Sequence, residues 1–220
     1  MPSEYAVLSA LEAHPDLEAA ARRLRGSRIK RLIDIFGALF GLIFLAPMLA
    51  LVTVLICLES RGGPIFRQRR TGCDGKTFVI YKFRTMTVAE DGEEVVQARR
   101  GDSRITPLGS FLRRSSIDEL PQLVNVLRGD MSLVGPRPHA IAHDRFYGGQ
   151  IPAYTLRFEA KPGLTGLAQV SGFRGGTEDV ALMAARVDRD LEYIRTWSIW
   201  LDLRILLRTL WMGPFDPSAY

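Results

Sequence analysis

The sequence predicts an α+β protein, mostly helical, with a re-entrant membrane helix kinked at Pro47, a small β-hairpin and amphipathic interfacial helices. Three observations predict it. The stretch Ile35 to Leu58 runs 24 residues without a charge and is interrupted by one proline. Two β-leaning stretches flank the turn-forming residues Gly72, Cys73, Asp74 and Gly75. Near the C-terminus, Val187, Leu191, Ile194, Leu201, Ile205 and Leu206 recur at helical spacing. The chain divides into an N-terminal extension (1–28), a membrane anchor (29–61) and a cytoplasmic domain with membrane-interface helices (62–220).

In the extension, Leu17 to Leu24 is helix-prone, and Gly26 and Ser27 close it. No function follows from these residues. The uncharged run, as a helix, reaches ~36 Å, enough for a hydrocarbon core of about 30 Å. Pro47 argues against a simple span, because a mid-helix proline removes a hydrogen bond and clashes with the preceding turn. Its two halves, Ile35 to Ala46 and Met48 to Leu58, each reach ~16 to 18 Å, about one leaflet. Arg22, Arg23, Arg25, Arg28, Lys30 and Arg31 precede the run, and Arg61, Arg67, Arg69 and Arg70 follow it. Basic flanks stay cytoplasmic, so two of them favour a segment that dips in and returns.

After the anchor, Gly62, Gly63 and Pro64 break the helix, and Ile65 to Arg70 and Lys76 to Met86 form the hairpin. Glu90, Asp91, Glu93 and Glu94 read as a solvated loop. Ser110 to Leu127 is helical, restarting near Ser116 and ending at Gly129. Ala140 to Tyr147 is a short helix, and Lys161 to Gly176 a glycine-rich loop. Val180 to Trp211 is helical, with Trp197, Trp200 and Trp211 suited to a headgroup layer. A plain core helix explains that pattern equally well.

The formal charge of +5 and pI near 9.5 suit nucleic acid, anionic lipid or phosphorylated substrates. The apolar run turns the choice to membrane phospholipids and away from nucleic acid. Cys57 and Cys73 are the two cysteines, one in the apolar run and one in an arginine-rich turn, so no disulfide framework is expected. A cleaved signal peptide fits poorly, because the run starts late, is long, and follows Glu4, Glu12, Asp16 and Glu18.

The residues that carry chemistry are Ser116, Ile117, Asp118 and Glu119 at a predicted helix start. The spacing of Ser116 and Glu119 matches a capping box, which leaves Asp118 without a task. Neighbouring helical side chains point about 100° apart, so the two carboxylates can do separate jobs, one attacking and one holding a metal. Arg113, Arg114 and Arg137 are near in sequence, and a helix N-terminus suits phosphate. His139 and His143 lack a third ligand at a metal-site spacing and read as surface or substrate-loop residues.

The sequence resembles the membrane-associated bacterial sugar transferases, also called monotopic phosphoglycosyl transferases. The likeness runs from about Arg28 to Tyr220. It rests on Lys30, Arg31 and Asp34; Gly63-Pro64-Ile65-Phe66; Lys82-Phe83-Arg84-Thr85-Met86; and Ser116-Ile117-Asp118-Glu119-Leu120-Pro121-Gln122-Leu123. It continues through Met131-Ser132-Leu133-Val134-Gly135-Pro136-Arg137-Pro138 and Lys161-Pro162-Gly163-Leu164-Thr165-Gly166. Pro138-His139-Ala140, Gly172-Phe173-Arg174-Gly175 and the terminal Ala219-Tyr220 look like the undecaprenyl-phosphate glucose phosphotransferases of exopolysaccharide synthesis.

The resemblance implies transfer of a sugar 1-phosphate from a UDP-sugar donor to undecaprenyl phosphate, with release of UMP. Glucose 1-phosphate from UDP-glucose is expected, and galactose or another UDP-sugar is the alternative. It implies Asp118 as nucleophile, forming a covalent phosphosugar adduct, and Glu119 as the metal residue for Mg²⁺. Arg113, Arg137, Lys82 and Arg84 are implied at the substrate phosphates, and Lys30, Arg31, Asp34 and Pro47 in the anchor. The location implied is the cytoplasmic face of a bacterial inner membrane, with homo-oligomer formation left open. Ala46 replaces a frequent serine before the proline, and Leu167 a frequent tryptophan. A non-catalytic membrane scaffold is the competing class.

Overall fold

A computed structural model describes residues 15–87, 102–173 and 179–212. The acidic loop at Glu90 to Glu94, the part of the glycine-rich stretch at Arg174 to Gly176, and Ala219-Tyr220 lie outside the described residues. Helix α1 (Pro15–Gly26) carries acids in its first turn and arginines in its last, which suits the helix dipole. Its buried stripe Leu17, Ala20, Ala21 and Leu24 packs on helix α7 (Val180–Thr196) within the main core. The extension is therefore joined to the globular part by a shared core.

Helix α2 (Arg28–Glu59) begins at Ser27, whose hydroxyl accepts from Lys30 N, and is one element of 32 residues. Pro47 lies inside it rather than dividing it into two separate helices, since one lost hydrogen bond bends a helix more readily than it ends one. Lys30 and Asp34 are buried against the globular part, and Arg31 bonds to it. Lys30 Nζ reaches Asp202 Oδ2 at 2.8 Å, Tyr193 Oη at 3.1 Å and the Val134 carbonyl at 3.0 Å. Asp34 Oδ1 accepts from Ser132 Oγ at 2.9 Å and Leu133 N at 2.8 Å. Arg31 binds the Val126 and Leu127 carbonyls at 2.7 and 2.8 Å. Charges leave water at tolerable cost only when paired and hydrogen-bonded, and here the protein interior supplies the partners.

The far end of α2 is held by the same domain. Arg84 donates to the carbonyls of Ser60 at 2.7 Å, Arg61 at 2.6 Å and Ile56 at 3.4 Å, and Leu108 N donates to Glu59 Oε1 at 2.9 Å. Lys30, Asp34, Ala38, Val52 and Ile56 are buried, and Gly41, Leu42, Leu45, Met48 and Leu49 continue that stripe half-buried. The opposite face is apolar and exposed, with Phe36, Phe40, Ile43 and Phe44 each at least 66% accessible.

Strands β1 (Ile65–Thr71) and β2 (Thr77–Phe83) form the expected antiparallel hairpin, closed by a 3₁₀ turn at Cys73–Gly75. Asn125 (0% exposed) covers the outer edge of β2, accepting from Tyr81 N at 3.1 Å and donating to the Val79 carbonyl at 2.7 Å. The predicted Ser110–Leu127 helix is three pieces: α3 (Pro107–Ser115), a 3₁₀ turn (Ile117–Gln122) and α4 (Leu123–Arg128). Strand β3 (Ser132–Val134) pairs in parallel with β4 (Gly163–Thr165). A Cβ at Gly163 would lie 2.1 Å from Gly135 N, so only glycine permits this approach. The expected glycine loop thus contains a strand and helix α6 (Leu167–Val170), which hydrophobic periodicity does not reveal in such short segments.

Helix α5 (Ile141–Gly148) lies where expected, followed by a 3₁₀ turn at Tyr154–Glu159. The C-terminal helix is two, α7 and α8 (Ile199–Met212), separated at Trp197 and Ser198. Trp200 and Trp211 are 79% and 92% exposed beside Leu207 and Leu210. Trp197 is half-buried, with its indole N–H 3.1 Å from Asp202 Oδ2.

Replacing Lys30 by methionine strands Asp202 in the interior. It should cost about 3 kcal/mol, the usual order for removing one partner of a buried pair, measured by unfolding in detergent. A loss below about 1 kcal/mol would mean the pair does not seat the helix.

Candidate functional site

Thr106 caps α3, its Oγ1 accepting from Gly109 N at 2.9 Å, with Pro107 in the first turn. A Cβ at Gly109 would meet the Thr85 carbonyl oxygen at 2.2 Å, so this glycine lets α3 sit against the end of β2. At its C-terminus Ser116 takes a left-handed conformation (φ 55°) and redirects the chain into the turn bearing Asp118 and Glu119. The capping box does not form. Ser116 makes no side-chain cap, and the Glu119 carboxylate goes elsewhere. An N-cap takes extended backbone, which Ser116 lacks.

Glu119 is clamped. Lys82 Nζ lies 2.7 Å from Oε1, while Arg137 donates Nη2 to Oε1 at 2.5 Å and Nη1 to Oε2 at 2.9 Å. This is the two-pronged guanidinium grip on a carboxylate. Burial alone would raise the Glu119 pKa, but Arg137 and then Lys82 outweigh it and hold the carboxyl well below its ordinary range. Asp118 is also buried (8% exposed), yet no hydrogen bond reaches its carboxylate among the described residues. Burial first, and the Glu119 charge second, push it up to about 6 against the pull of Lys82, Arg113 and Arg137. Two adjacent carboxylates are driven apart, one locked as an anion and one brought up toward the neutral pH range with no hydrogen-bond partner among the described residues.

Arg113 Nε bonds Thr85 Oγ1 at 2.9 Å and its Nη2 lies 3.2 Å from Met86 Sδ; its foremost attractive charge is Asp118. Lys82, Arg113 and Arg137 thus surround the pair as the sequence implies. Arg84 does not join them, because its guanidinium caps the end of α2. The end of a helix presents unpaired carbonyls, and a nearby arginine satisfies them.

Several contributing residues escape sequence reasoning. Arg157 (2% exposed) pairs with Asp190 (1%) at 2.7 Å and donates to the Arg137 carbonyl at 2.6 Å, fixing the loop that carries Arg137. His139 is buried rather than surface-exposed, with its Nδ1 2.6 Å from Arg157 and 2.8 Å from Tyr154. Burial, then Arg157 and Arg186, keep its pKa well below the ordinary value, hence the ring neutral. These contacts span tens of residues, and no local pattern announces them. Arg70 is within the electrostatic reach of Arg137 and Glu119; strand alternation places it on a face, but only the register says which.

Among the described residues no three His, Cys, Asp or Glu side chains gather into a metal site. A metal here would have at most these two carboxylates and would complete its shell with phosphate and water. That is the usual Mg²⁺ mode, so the hard oxygen donors of this pair fit Mg²⁺.

An acid without a hydrogen-bond partner among the described residues, beside a cation-clamped one and flanked by a further guanidinium, has the charge pattern of a site for anionic groups. Comparison with known proteins gives the family: the profile described as bacterial sugar transferase matches residues 25–214, and the chain belongs to that family. It is a phosphoglycosyl transferase. A UDP-glucose:undecaprenyl-phosphate glucose-1-phosphate transferase of Caulobacter vibrioides is 58% identical over 82% of this chain and 68% of its own length. One of the same name from Klebsiella pneumoniae is 49% identical over 87% of this chain and 41% of its own. Exopolysaccharide production protein PSS of Rhizobium leguminosarum is 46% identical over 83% of this chain and 93% of its own. The chain thus spans about two thirds of the first and two fifths of the second.

Because the folded state disfavours ionised Asp118, the native protein loses stability as pH rises from about 4 through about 6, and the deficit persists above. Asp118→Asn removes that penalty and should raise the Tm at pH 8 by a few degrees. A lower Tm would show that the carboxylate is stabilised by its neighbours after all.

Proposed function

We propose that the protein transfers glucose 1-phosphate from UDP-glucose to undecaprenyl phosphate through an adduct on Asp118, releasing UMP, as an early membrane step of exopolysaccharide synthesis. The observation that carries this is the division of labour between Asp118, which is unbonded, and Glu119, which is gripped. An Asp118 oxygen attacks the sugar-bearing phosphorus, and the bond from that phosphorus to the bridging oxygen breaks. UMP departs with the electron pair. An oxygen of the lipid phosphate then attacks the same phosphorus, and the Asp118 carboxylate leaves, so no net proton or redox change is needed.

A carboxylate approaching a diphosphate meets like charge, which Lys82, Arg113 and Arg137 offset. Glu119 would hold Mg²⁺, which when bound supplies further neutralisation of the phosphate oxygens. Glu119 also keeps Arg137 and Lys82 oriented, with both cations aimed at the reacting region before substrate arrives. Glucose is supported by the names of the two transferase relatives, and the polysaccharide role by that of the Rhizobium protein.

A re-entrant anchor on the cytoplasmic face of the inner membrane is supported by the attachment of both ends of α2 to one domain. The exposed Phe36, Phe40, Ile43 and Phe44 would lie among the lipid chains, and Trp200 and Trp211 near the headgroups.

Three measurements test this. Protein incubated with UDP-glucose and Mg²⁺, without acceptor, should carry one hexose phosphate on Asp118 by mass spectrometry. Asp118→Asn should carry none and release no UMP, whereas UDP release would indicate an ordinary glycosyltransferase. The kcat/KM profile should lose activity below about pH 6, because Asp118 must be ionised to attack, and Arg113→Ala should shift that limb upward; a limb near pH 4 would exclude a perturbed nucleophile. Cysteines at exposed Arg28 and Arg61, in a background without Cys57 and Cys73, should both resist impermeant thiol reagents in intact cells. Labelling of one alone would mean a true span.

A further inference from the structure

Arg70 is a buried-face cation that the transfer reaction as described does not use. Strands β1 and β2 pair Phe66 with Lys82, Gln68 with Ile80 and Arg70 with Phe78. In an antiparallel pair these alternate residues share one face of the ribbon. Arg70 therefore lies on the face from which Lys82 reaches Glu119, four residues or ~13 Å further along it.

Its bonding sets it apart from the site's other arginines. Arg113, Arg137 and Arg157 each make a hydrogen bond of 2.9 Å or shorter. Arg70 has one at 3.5 Å, from Nη1 to the Pro138 carbonyl, and its enclosed Nε has no partner. No carboxylate lies within ion-pair distance of it among the described residues. Burial and the nearby Arg137 lower its pKa to about 10, with Asp144 and Glu119 opposing only in part. A half-buried guanidinium, its charge poorly matched and its donors unspent, is costly to fold around and becomes favourable when an anion arrives.

The order of charges says where such an anion would sit. Arg113 interacts foremost with Asp118, while Arg70 interacts with Arg137, Asp144 and Glu119. Contacts link them in the same order: Lys82 and Arg137 grip Glu119 beside Asp118, and Arg70 bonds the carbonyl of Pro138 next to Arg137. In-line displacement places the leaving group on the side of phosphorus away from the nucleophile. Arg70, bonded to the carbonyl of Pro138 next to Arg137, would lie on that side.

Resting on the transferase reading above, we propose that Arg70 binds the phosphate opposite Asp118: the phosphate of the departing nucleoside monophosphate, and in the second step that of the incoming lipid. Both are phosphate monoesters and both occupy the position in line with the Asp118–phosphorus bond. Arg70 is then a substrate-binding residue whose fork receives the charge that appears as the bridging bond breaks.

The test uses the full chain in detergent, with Arg70→Gln and Arg70→Lys. Without ligand, Arg70→Gln should melt at or above the wild-type temperature, since it removes a poorly compensated charge. Binding of UMP and of a short-chain polyprenyl phosphate, each followed by thermal shift, should weaken about tenfold in Arg70→Gln, with partial recovery in Arg70→Lys. Weakening of UMP alone or of the lipid phosphate alone assigns the position to that substrate. Unchanged affinity for both overturns the proposal, as does a lowered Tm with binding intact, which marks a structural role. If Arg70→Gln does not fold, Arg70→Lys carries the same comparison. Should wild type bind UMP through Arg70 yet release none from UDP-glucose, the transferase reading fails and the anion site stands.

Discussion

The seating of an apolar helix on a three-residue strand organises this protein. Asp34 and Lys30, in the first turns of α2, bond the backbone and a hydroxyl of β3 from Ser132 to Val134. The chain leaves β3 directly into Gly135-Pro136-Arg137, and Arg137 closes on Glu119. The seat of the apolar helix and the clamp on Glu119 thus share one connection, made of buried charges that the interior tolerates because each has its partner. Arg157, pairing with Asp190 and holding the Arg137 carbonyl, braces that connection from the other side.

The electrostatics of the carboxylate pair follow from the same packing. Cations crowd Glu119 because β2 brings Lys82 and the β3 exit brings Arg137 to one point, leaving Asp118 buried with no hydrogen-bond donor of its own among the described residues. The fold carries an ionisable group at Asp118 whose charged form its surroundings disfavour. Stability is given up locally and recovered in the paired charges around it, the usual relation between active sites and their scaffolds. Arg70 repeats the pattern with opposite sign, as a cation lacking the anion that would satisfy it.

Attachment at both ends also accounts for the surface. A helix of 32 residues held at Lys30 and at Ser60 by one polar domain exposes a single apolar face. Arg84, just after β2, is engaged in this attachment: its three carbonyl partners are the last of the helix and the first after it. The hairpin thereby links the apolar helix to the carboxylates, through Arg84 at its base and Lys82 one turn of the pleat away.

The sequence by itself determined what depends on near neighbours. The apolar run, the hairpin around Gly72 to Gly75, the short helix after Pro138, and the grouping of Asp118 and Glu119 with Lys82, Arg113 and Arg137 were legible, the last through a motif pattern. Tertiary structure decided everything set by register or by contacts across the chain. It replaced the capping box by a left-handed Ser116, sent Arg84 to a helix end, buried His139 among arginines, turned a glycine-rich loop into a parallel strand, and drew α1 into the core. The physical reason is that helix and turn signals arise from the backbone and the next few side chains. The partner of a buried charge is chosen by which surfaces meet once the chain has collapsed.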